Sequence, residues 1–222
     1  MYLNAHSHRK ALKKDEIVCR NAFHFLNADT IRELAYPVSV GIHPWHSSEC
    51  MENSESKLSE LLLLPNVLAL GEAGLDRVNG PLMQIQMECW EMQFQLAHRL
   101  KMPIIVHCVR AWQDIFPYCK CSEVPILLHD FRGNEQILQQ FLPLELVYFS
   151  FGKSLFAENK IETVFKKIPA NRLLLETDAS AIQIEDIFKK AASLRNKGLA
   201  ELCEQMKKNG HLFFGEKSLA FF

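Results

Sequence analysis

The feature that most constrains the fold of this chain is a set of short apolar runs, each of which ends in a residue type that binds metals. The central run, Val67–Asp76 (VLALGEAGLD), begins as a segment typical of a buried strand and breaks at Gly71, directly before Glu72. Four other runs end in histidine or aspartate, at residues 3–8, 104–107, 126–129 and 173–178. Five such endings between helical stretches predict a parallel barrel with a metal site at the carboxyl ends of its strands.

Predicted strands and helices alternate along the whole chain. Eight strands are predicted, at residues 3–6, 16–25, 38–43, 67–71, 104–107, 125–129, 146–151 and 172–178. The strongest helix pattern covers residues 82–100, with apolar residues at spacings of three and four. A final amphipathic helix is expected over residues 184–208, with Gly198 as a point of interruption, and an apolar tail over residues 211–222 that could fold back.

These elements predict an α/β fold, a compact TIM-type (β/α)8 barrel. The 222 residues are at the short end for such a barrel, so its loops are expected to be brief. No linker or repeat divides the sequence, and residues 1–222 are therefore predicted to form a single metal-dependent hydrolase barrel domain.

Charge and cysteine usage narrow the class of protein. The 25 basic and 26 acidic residues give no general attraction to nucleic acid, so binding of phosphate would depend on local groups or on bound metal. Seven cysteines without a disulfide pattern are typical of reduced thiols, and the longest apolar runs are too short to span a membrane. The candidate ligands begin within the first ten residues, which argues against a targeting peptide. We therefore expect a cytoplasmic protein with no membrane partner.

The candidate metal ligands comprise four imidazoles and two carboxylates. His6 and His8 stand two residues apart on one predicted strand, so their side chains are expected to share a face. The full set is His6, His8, Glu72, His107, His129 and Asp178. Nitrogen and oxygen donors without thiolates predict one or two divalent ions per chain, of the kind of Zn, Mg, Mn or Ni. Six ligands exceed the need of one tetrahedral ion and suffice for two, with Glu72 as the bridge.

This ligand set indicates a hydrolase that uses metal-activated water. Two ions roughly 3.5–4 Å apart can stabilise the attacking and leaving oxygens of a phosphoester and make hydroxide available near neutral pH. Asp178 is the candidate catalytic base, and Glu72 is the candidate bridging and catalytic carboxylate. Glu176, two residues before Asp178, is expected to lie deeper and to hold a neighbouring side chain.

Two arginines are candidates for substrate binding. Arg110 and Arg132 follow the fifth and sixth predicted strands, on the face of a barrel where the chemistry takes place. A guanidinium there can bind a phosphate or a carboxylate through two parallel hydrogen bonds. The alternative interpretation is a pair of solvated arginines on the rim.

Six motifs resemble those of the TatD family of metal-dependent hydrolases, in the amidohydrolase superfamily. They follow the family order and are NAHSH (4–8), GIHPW (41–45), LGEAGLD (70–76), PIIVHCVRA (103–111), LLHDFRG (127–133) and LLLETDAS (173–180). The resemblance implies a TIM-type barrel, a centre of one or two metals, and hydrolysis of phosphodiesters, commonly as a deoxyribonuclease with exonuclease character. It also implies metal-ligand roles for the six residues named above and places His43 beside the substrate.

The sequence departs from the family pattern at several points. Asn4 stands where the family usually has aspartate, and HDFRG replaces the usual HCFTG, which adds Asp130 and Arg132. Arg110 is one residue further from His107 than is usual, and the family's proline and its Arg/Asn-containing loop after ETDAS are absent.

Three hypotheses about function remain at this point. The leading one is a metal-dependent phosphodiesterase, a probable deoxyribonuclease that acts on DNA. The second keeps the metals but hydrolyses another small ester or an amide, since this fold supports many reactions. The third is a non-catalytic TatD-like binding or scaffold protein, against which the complete ligand set argues.

Overall fold

The computed structural model of the protein describes residues 1–11, 13–23, 27–157 and 159–222. Within these ranges, eight parallel strands form one sheet whose spatial order follows the chain order. The strands are β1 (Tyr2–Ser7), β2 (Glu16–Phe23), β3 (Val38–Gly41), β4 (Val67–Asp76), β5 (Ile104–Val109), β6 (Ile126–Leu128), β7 (Val147–Phe151) and β8 (Leu173–Leu175). Ser7 forms a parallel bridge with Asp178, so the chain after β8 returns to β1 and the barrel closes. The predicted (β/α)8 fold is confirmed.

Helices connect most of the successive strands. Those described are α1 (Ala28–Arg32), α2 (Ser54–Leu62), α3 (Met83–Leu100), α4 (Trp112–Cys121), α5 (Glu135–Phe141), α6 (Asn159–Lys167), α7 (Ile184–Arg195) and α8 (Leu199–Phe214). Short 3-10 helices cover Pro44–Glu49, Lys153–Phe156, Ala170–Arg172 and Glu216–Ala220. Among the described residues, no helix combines the length and the apolar character that a membrane span requires.

The core has two layers because alternate residues of a strand point to opposite faces. Ile105, in the middle of β5, belongs to an inner cluster with Leu68 and Leu127. Its neighbours Ile104 and Val106 belong to a larger cluster between the strands and the helices. Both faces of the central strands are therefore buried, which explains their almost continuous apolar sequences.

Strand β4 does not break at Gly71 as the sequence predicted, but continues to Asp76. Its pairing with β5 shifts in register after Leu70 and then resumes, with Asp76 opposite Val109. Gly71 and Gly74 both have a φ of 143°, and a Cβ added at Gly74 would lie 2.1 Å from the carbonyl oxygen of His107. These glycines therefore permit a close approach of two strands and do not end one.

The carboxyl-terminal part of the chain follows the prediction, except that its last helix extends to Phe214. The amphipathic stretch over residues 184–208 is interrupted at the predicted place, because Asn196 ends α7 in a left-handed conformation (φ 52°) and Gly198 directly precedes α8. The last residues do fold back, since Phe221 and Phe222 pack against the inner cluster. The predicted end of the second strand, at residues 24–25, lies outside the described residues.

Candidate metal centre

The first strand brings two histidines to one carboxylate. The Nε2 atoms of His6 and His8 lie 3.3 and 3.1 Å from the same oxygen, Oε2 of Glu72. The predicted shared face of these two residues is confirmed. Asp178 joins them from the segment after β8, with its Oδ1 3.4 Å from Nε2 of His8.

The second oxygen of Glu72 faces three more imidazoles. Its Oε1 lies 2.7 Å from Nδ1 of His107, 2.8 Å from Nε2 of His129 and 3.3 Å from Nε2 of His43. Asn21 of β2 contacts the same carboxylate, with Nδ2 3.3 Å from Oε2. The buried Glu72 is therefore surrounded by five imidazoles, which come from four different regions of the barrel.

Three groups of side chains have ligand atoms close enough to hold an ion. Within each group these atoms lie no more than 4.8 Å apart, and the groups are His6–Glu72–His129, His6–His8–Asp178 and His43–Glu72–His107. The structure thus brings all six predicted ligands together and adds His43 to them. The set contains histidine and carboxylate groups able to hold a divalent metal, as the sequence predicted.

The chemistry of His6 fits a bound cation. Its side chain is fully buried, yet neither ring nitrogen forms a hydrogen bond within the described residues. Buried polar atoms are normally paired because leaving one unpaired costs about 1–3 kcal/mol. A metal ion would supply the missing partner, and this supports the assignment of the cluster as a metal centre.

The acids and imidazoles of the cluster change one another's pKa values. Burial opposes the charge of Glu72, but His129 and hydrogen bonds with His107, His129 and His43 hold its pKa well below the usual range. Burial likewise opposes charge on His129, yet Glu72 and Glu176 raise its pKa well above that of a free imidazole. Burial lowers the pKa of His43. The centre is therefore built around an ionised carboxylate, with a neutral imidazole at its edge.

Asp76, the second acid of LGEAGLD, also contacts the cluster, although the sequence motifs did not predict it as a site residue. Its Oδ2 lies 3.2 Å from Nε2 of His107 and accepts a hydrogen bond of 2.6 Å from the indole Nε1 of Trp45. Gln86 of α3 fixes the backbone of Asp76 through bonds of 2.8 and 2.9 Å. The signal was present, because Asp76 is four residues from Glu72 and shares its face of a strand. It was overlooked because the strand was expected to end at Gly71.

Glu176 orients His129, as the sequence predicted for a deeper acid that holds a neighbouring side chain. Its Oε1 lies 3.1 Å from Nδ1 of His129 and accepts a bond of 3.1 Å from the backbone N–H of Asp130. Ser150 donates a hydrogen bond to the other oxygen. A carboxylate on the second nitrogen of a ligating histidine fixes its ring and raises its basicity.

The two candidate arginines lie on the rim and are not part of the histidine–carboxylate groups described above. Arg110 directly follows β5, is exposed and has a φ of 52°. Arg132 is 54% exposed and donates from Nε and Nη2 to Oδ2 of Asp130, at 2.9 and 2.6 Å. The other oxygen of Asp130 accepts a bond of 2.8 Å from Ser154. Contact of these arginines with substrate stays a prediction.

Asn4, a departure from the family motif, joins three parts of the barrel. Its Nδ2 donates to Glu16 at 2.9 Å and to the hydroxyl of Thr177 at 2.8 Å, and its Oδ1 accepts from the backbone N–H of Thr177 at 3.0 Å. The amide therefore acts as a donor and an acceptor at once, which a carboxylate cannot do. Asn4 links β1 to β2 and to the segment after β8.

An eight-stranded parallel barrel with a histidine–carboxylate cluster at the carboxyl ends of its strands is an arrangement typical of metal-dependent hydrolases. The family model described as TatD related DNase matches residues 17–215. The chain belongs to this family. The match begins after His6 and His8, which the structure nevertheless places in the cluster with Glu72.

Known proteins similar to this chain support its assignment to the same family. The "3'-5' ssDNA/RNA exonuclease TatD" of Citrobacter rodentium is 32% identical over 172 residues, which are 71% of this chain and 62% of that protein. The protein of the same name from Edwardsiella piscicida is 34% identical, over 73% of this chain and 66% of that protein. The chain thus spans less than two thirds of the length of these relatives. The TatD homologue YJJV of Escherichia coli, a crystal structure, has the same fold, with a TM-score of 0.76 at 22% identity over 89% of this chain and 86% of that one.

Proposed function

We propose that this chain hydrolyses phosphodiester bonds in DNA or a related nucleic acid with the help of one or two divalent ions. The observation that carries the proposal is the convergence of five imidazoles on the buried Glu72, together with the ring nitrogens of His6, which form no hydrogen bond within the described residues. The exonuclease names of the relatives supply the substrate class.

The two oxygens of Glu72 face different groups, which supports a bridging role. Oε2 faces His6 and His8, next to Asp178, and Oε1 faces His107 and His129. We assign His6, His8, Glu72, His107, His129 and Asp178 as the ligands, of Zn, Mg, Mn or Ni. We take residues 1–222 as one catalytic domain that acts in the cytoplasm.

The protein groups around the ligands have defined tasks in this proposal. A bound divalent ion makes hydroxide available near neutral pH and stabilises charge on the phosphoryl oxygens. Asp178, partly exposed at the mouth, accepts a proton from the attacking water and returns it to the leaving oxygen. His43, whose pKa burial lowers, stands neutral beside the substrate and donates or accepts a hydrogen bond. Arg110 and Arg132 bind flanking phosphates.

The decisive experiment combines elemental analysis of the purified protein with cleavage of an end-labelled single-stranded oligonucleotide. We expect one or two divalent ions per chain, metal-dependent cleavage, and loss of both properties in Glu72→Gln. Glu201→Gln is the matched control, because Glu201 is an exposed residue of α8 that pairs with Lys197, away from the cluster. A metal-loaded protein that leaves every oligonucleotide intact would contradict the proposal.

A second candidate, hydrolysis of another small ester or an amide, is favoured by one observation. The chain has 25 basic against 26 acidic residues and so presents no overall positive charge to a polyanion. A generic phosphodiester and a panel of amides, tested beside the oligonucleotide, separate the two functions. Full metal content without turnover of any of them would indicate the non-catalytic alternative.

A further inference from the structure

A tryptophan lies half exposed directly beside the metal-ligand cluster. Trp45, in the 3-10 helix after β3, is 50% exposed. The centroid of its ring lies 4.9 Å from that of His43 and 6.2 Å from that of His107, with edge-on geometry in both pairs. An exposed aromatic residue is common on protein surfaces and needs no explanation by itself. Its position against two imidazoles of the centre requires one.

Both the ring and the backbone of Trp45 are held in place by neighbouring residues. The indole Nε1 donates to Oδ2 of Asp76 at 2.6 Å, and the backbone N–H of Trp45 donates to Nδ1 of His43 at 3.2 Å. The turn at Gly80 packs against the same segment, since a Cβ added there would lie 3.1 Å from the Cα of Trp45. The ring is therefore held at the mouth with its polar atom already satisfied, and its remaining exposed surface is apolar.

We propose that Trp45 stacks on an unpaired nucleobase of the substrate, next to the phosphodiester that is cleaved. Stacking suits a fixed, exposed indole because every base has an aromatic face, so such contacts tolerate any sequence. Bases inside a duplex cover one another's faces, and the contact therefore selects a single-stranded or frayed end. This assignment rests on the proposed nuclease function and adds to it a residue that recognises the base.

The surroundings of Trp45 favour a base over a flat protein surface as its partner. The ring is part of the inner rim, in edge contact with His43 and His107, whereas a protein docking site needs a larger continuous apolar area. Asp76 connects the ring to the centre, because the same Oδ2 atom that accepts from Trp45 contacts Nε2 of His107. A base stacked on Trp45 would thus place its own phosphate close to the cluster.

The test compares two variants of Trp45 on two substrates. Trp45→Ala removes the aromatic face, and Trp45→Phe keeps a face but loses the bond to Asp76. The control is Leu219→Ala, which truncates an exposed apolar side chain in the segment where Lys217 contacts the start of β4, at the opposite end of the barrel. The substrates are a single-stranded oligonucleotide and the same oligonucleotide with abasic residues at the two terminal positions of each end.

We expect Trp45→Ala to raise KM for the normal oligonucleotide about 5- to 100-fold. Metal content and kcat should stay unchanged, and KM for the abasic oligonucleotide should not rise. Trp45→Phe should stay within about threefold of wild type on both substrates, and Leu219→Ala should equal wild type. This split between KM and kcat, and between the two substrates, is not expected if Trp45 only supports Asp76.

Three results would overturn the stacking role. One is a KM of Trp45→Ala equal to that of a wild-type protein that cleaves the oligonucleotide; this result would contradict stacking but not the nuclease function. Another is an equal loss on both substrates, which assigns Trp45 to the positioning of His107 through Asp76. If wild type cleaves no oligonucleotide, the proposed function fails separately, and binding decides the role of Trp45. Anisotropy of a labelled oligonucleotide that is the same with wild type and Trp45→Ala would then overturn it, and weaker binding to the variant would support it.

Discussion

The two ends of this barrel differ in whether their polar side chains find hydrogen-bond partners within the fold. At the amino ends of the strands, Lys217 donates to the carbonyl oxygens of Leu62, Leu64 and Val67 at 3.0, 3.0 and 3.2 Å, so a half-buried cation meets three acceptors. At the carboxyl ends, five imidazoles surround one carboxylate, and the two ring nitrogens of His6 form no hydrogen bond within the described residues. Lys217 thus finds its hydrogen-bond acceptors within the fold, whereas the ring of His6 is left for the cation that we propose. We therefore expect polar groups at the amino ends of the strands to contribute to stability and those at the carboxyl ends to bind a ligand.

The largest effect that this comparison predicts is at Glu72. Glu72→Ala should remove nearly all bound metal and all detectable hydrolysis, because both groups of ligands face this one carboxylate. His6→Ala should lose less metal, since it removes a ligand from one side only. Elemental analysis of the two variants after identical purification checks the difference. Equal metal content in Glu72→Ala and wild type would place the bridge elsewhere.

The second largest effect is expected on kcat, when the residue to which we assign the proton transfer, Asp178, is changed. Asn at this position has nearly the same size and can still offer an oxygen to a metal, but it cannot accept a proton. Asp178→Asn should therefore keep its fold and much of its metal while kcat falls roughly 10²–10⁴-fold. Turnover of the oligonucleotide, measured beside metal content, is the test. Near-normal turnover with full metal content would exclude Asp178 as the base.

The part of the molecule that could be predicted from the sequence is the part that repeats. Strands buried on both faces have continuous apolar sequences, and each candidate ligand follows or ends such a run, so the barrel and the clustering of the six candidate ligands could be predicted. Gly71 was read as a break because glycine serves both to end a strand and to permit a close approach between strands. Only the position of β5 decides between these two, since the carbonyl oxygen of Ile105 would lie 2.6 Å from a Cβ at Gly71.

The supporting contacts of the site could not be predicted for a related reason. Asn21 reaches Glu72 from a strand that is 51 residues away in the chain, and Trp45 reaches Asp76 across 31 residues. Local periodicity shows which face of a strand a residue occupies but not which distant side chain it meets. Glu176 was the exception, because two acids on one face, at different depths, already imply different partners.

Substitution of Asp76, at the carboxyl ends of the strands, should weaken metal binding by an intermediate amount. Its carboxylate contacts His107 and accepts from Trp45, and loss of such support for a ligating histidine typically costs 10- to 100-fold in metal affinity or activity. Asp76→Asn keeps the size, but its single oxygen cannot accept both from Trp45 and from the backbone N–H groups of Val78 and Asn79, so the loss combines weaker support of His107 with an altered turn after β4. Titration of the metal-free variant with Zn, compared with wild type, measures it. Unchanged affinity would limit Asp76 to a structural role.

Lys217→Met tests the other end of the barrel. The variant removes one shared donor from three carbonyl oxygens, of which that of Leu64 also accepts from the N–H of Val67, and should lower the free energy of unfolding by about 1–3 kcal/mol. Its metal content and its kcat should equal those of wild type. Urea denaturation and oligonucleotide cleavage are the two measurements. A large loss of turnover in the folded variant would show that the two ends are coupled, contrary to the comparison.

The smallest effect is expected at Asn4, which lies two residues before His6 and between the two ends. Asn4→Asp replaces two N–H donors by a carboxylate oxygen 2.9 Å from the carboxylate of Glu16, so repulsion replaces a hydrogen bond. We expect a loss of about 1–2 kcal/mol in the free energy of unfolding at pH 7.

The matched test adds Glu16→Gln to Asn4→Asp, because the new amide can donate to the new carboxylate and restore the link between β1 and β2. Recovery of most of the lost stability in the double variant, measured by urea denaturation, would assign the effect to this one contact. Failure of the double variant to recover would show that the bonds from Asn4 to Thr177 carry the stability. In that case Asn4 stabilises the protein mainly by helping to close the barrel. The asparagine that stands here in place of the family's aspartate would then be explained by its bonds to Thr177, after β8, and not by its contact with β2.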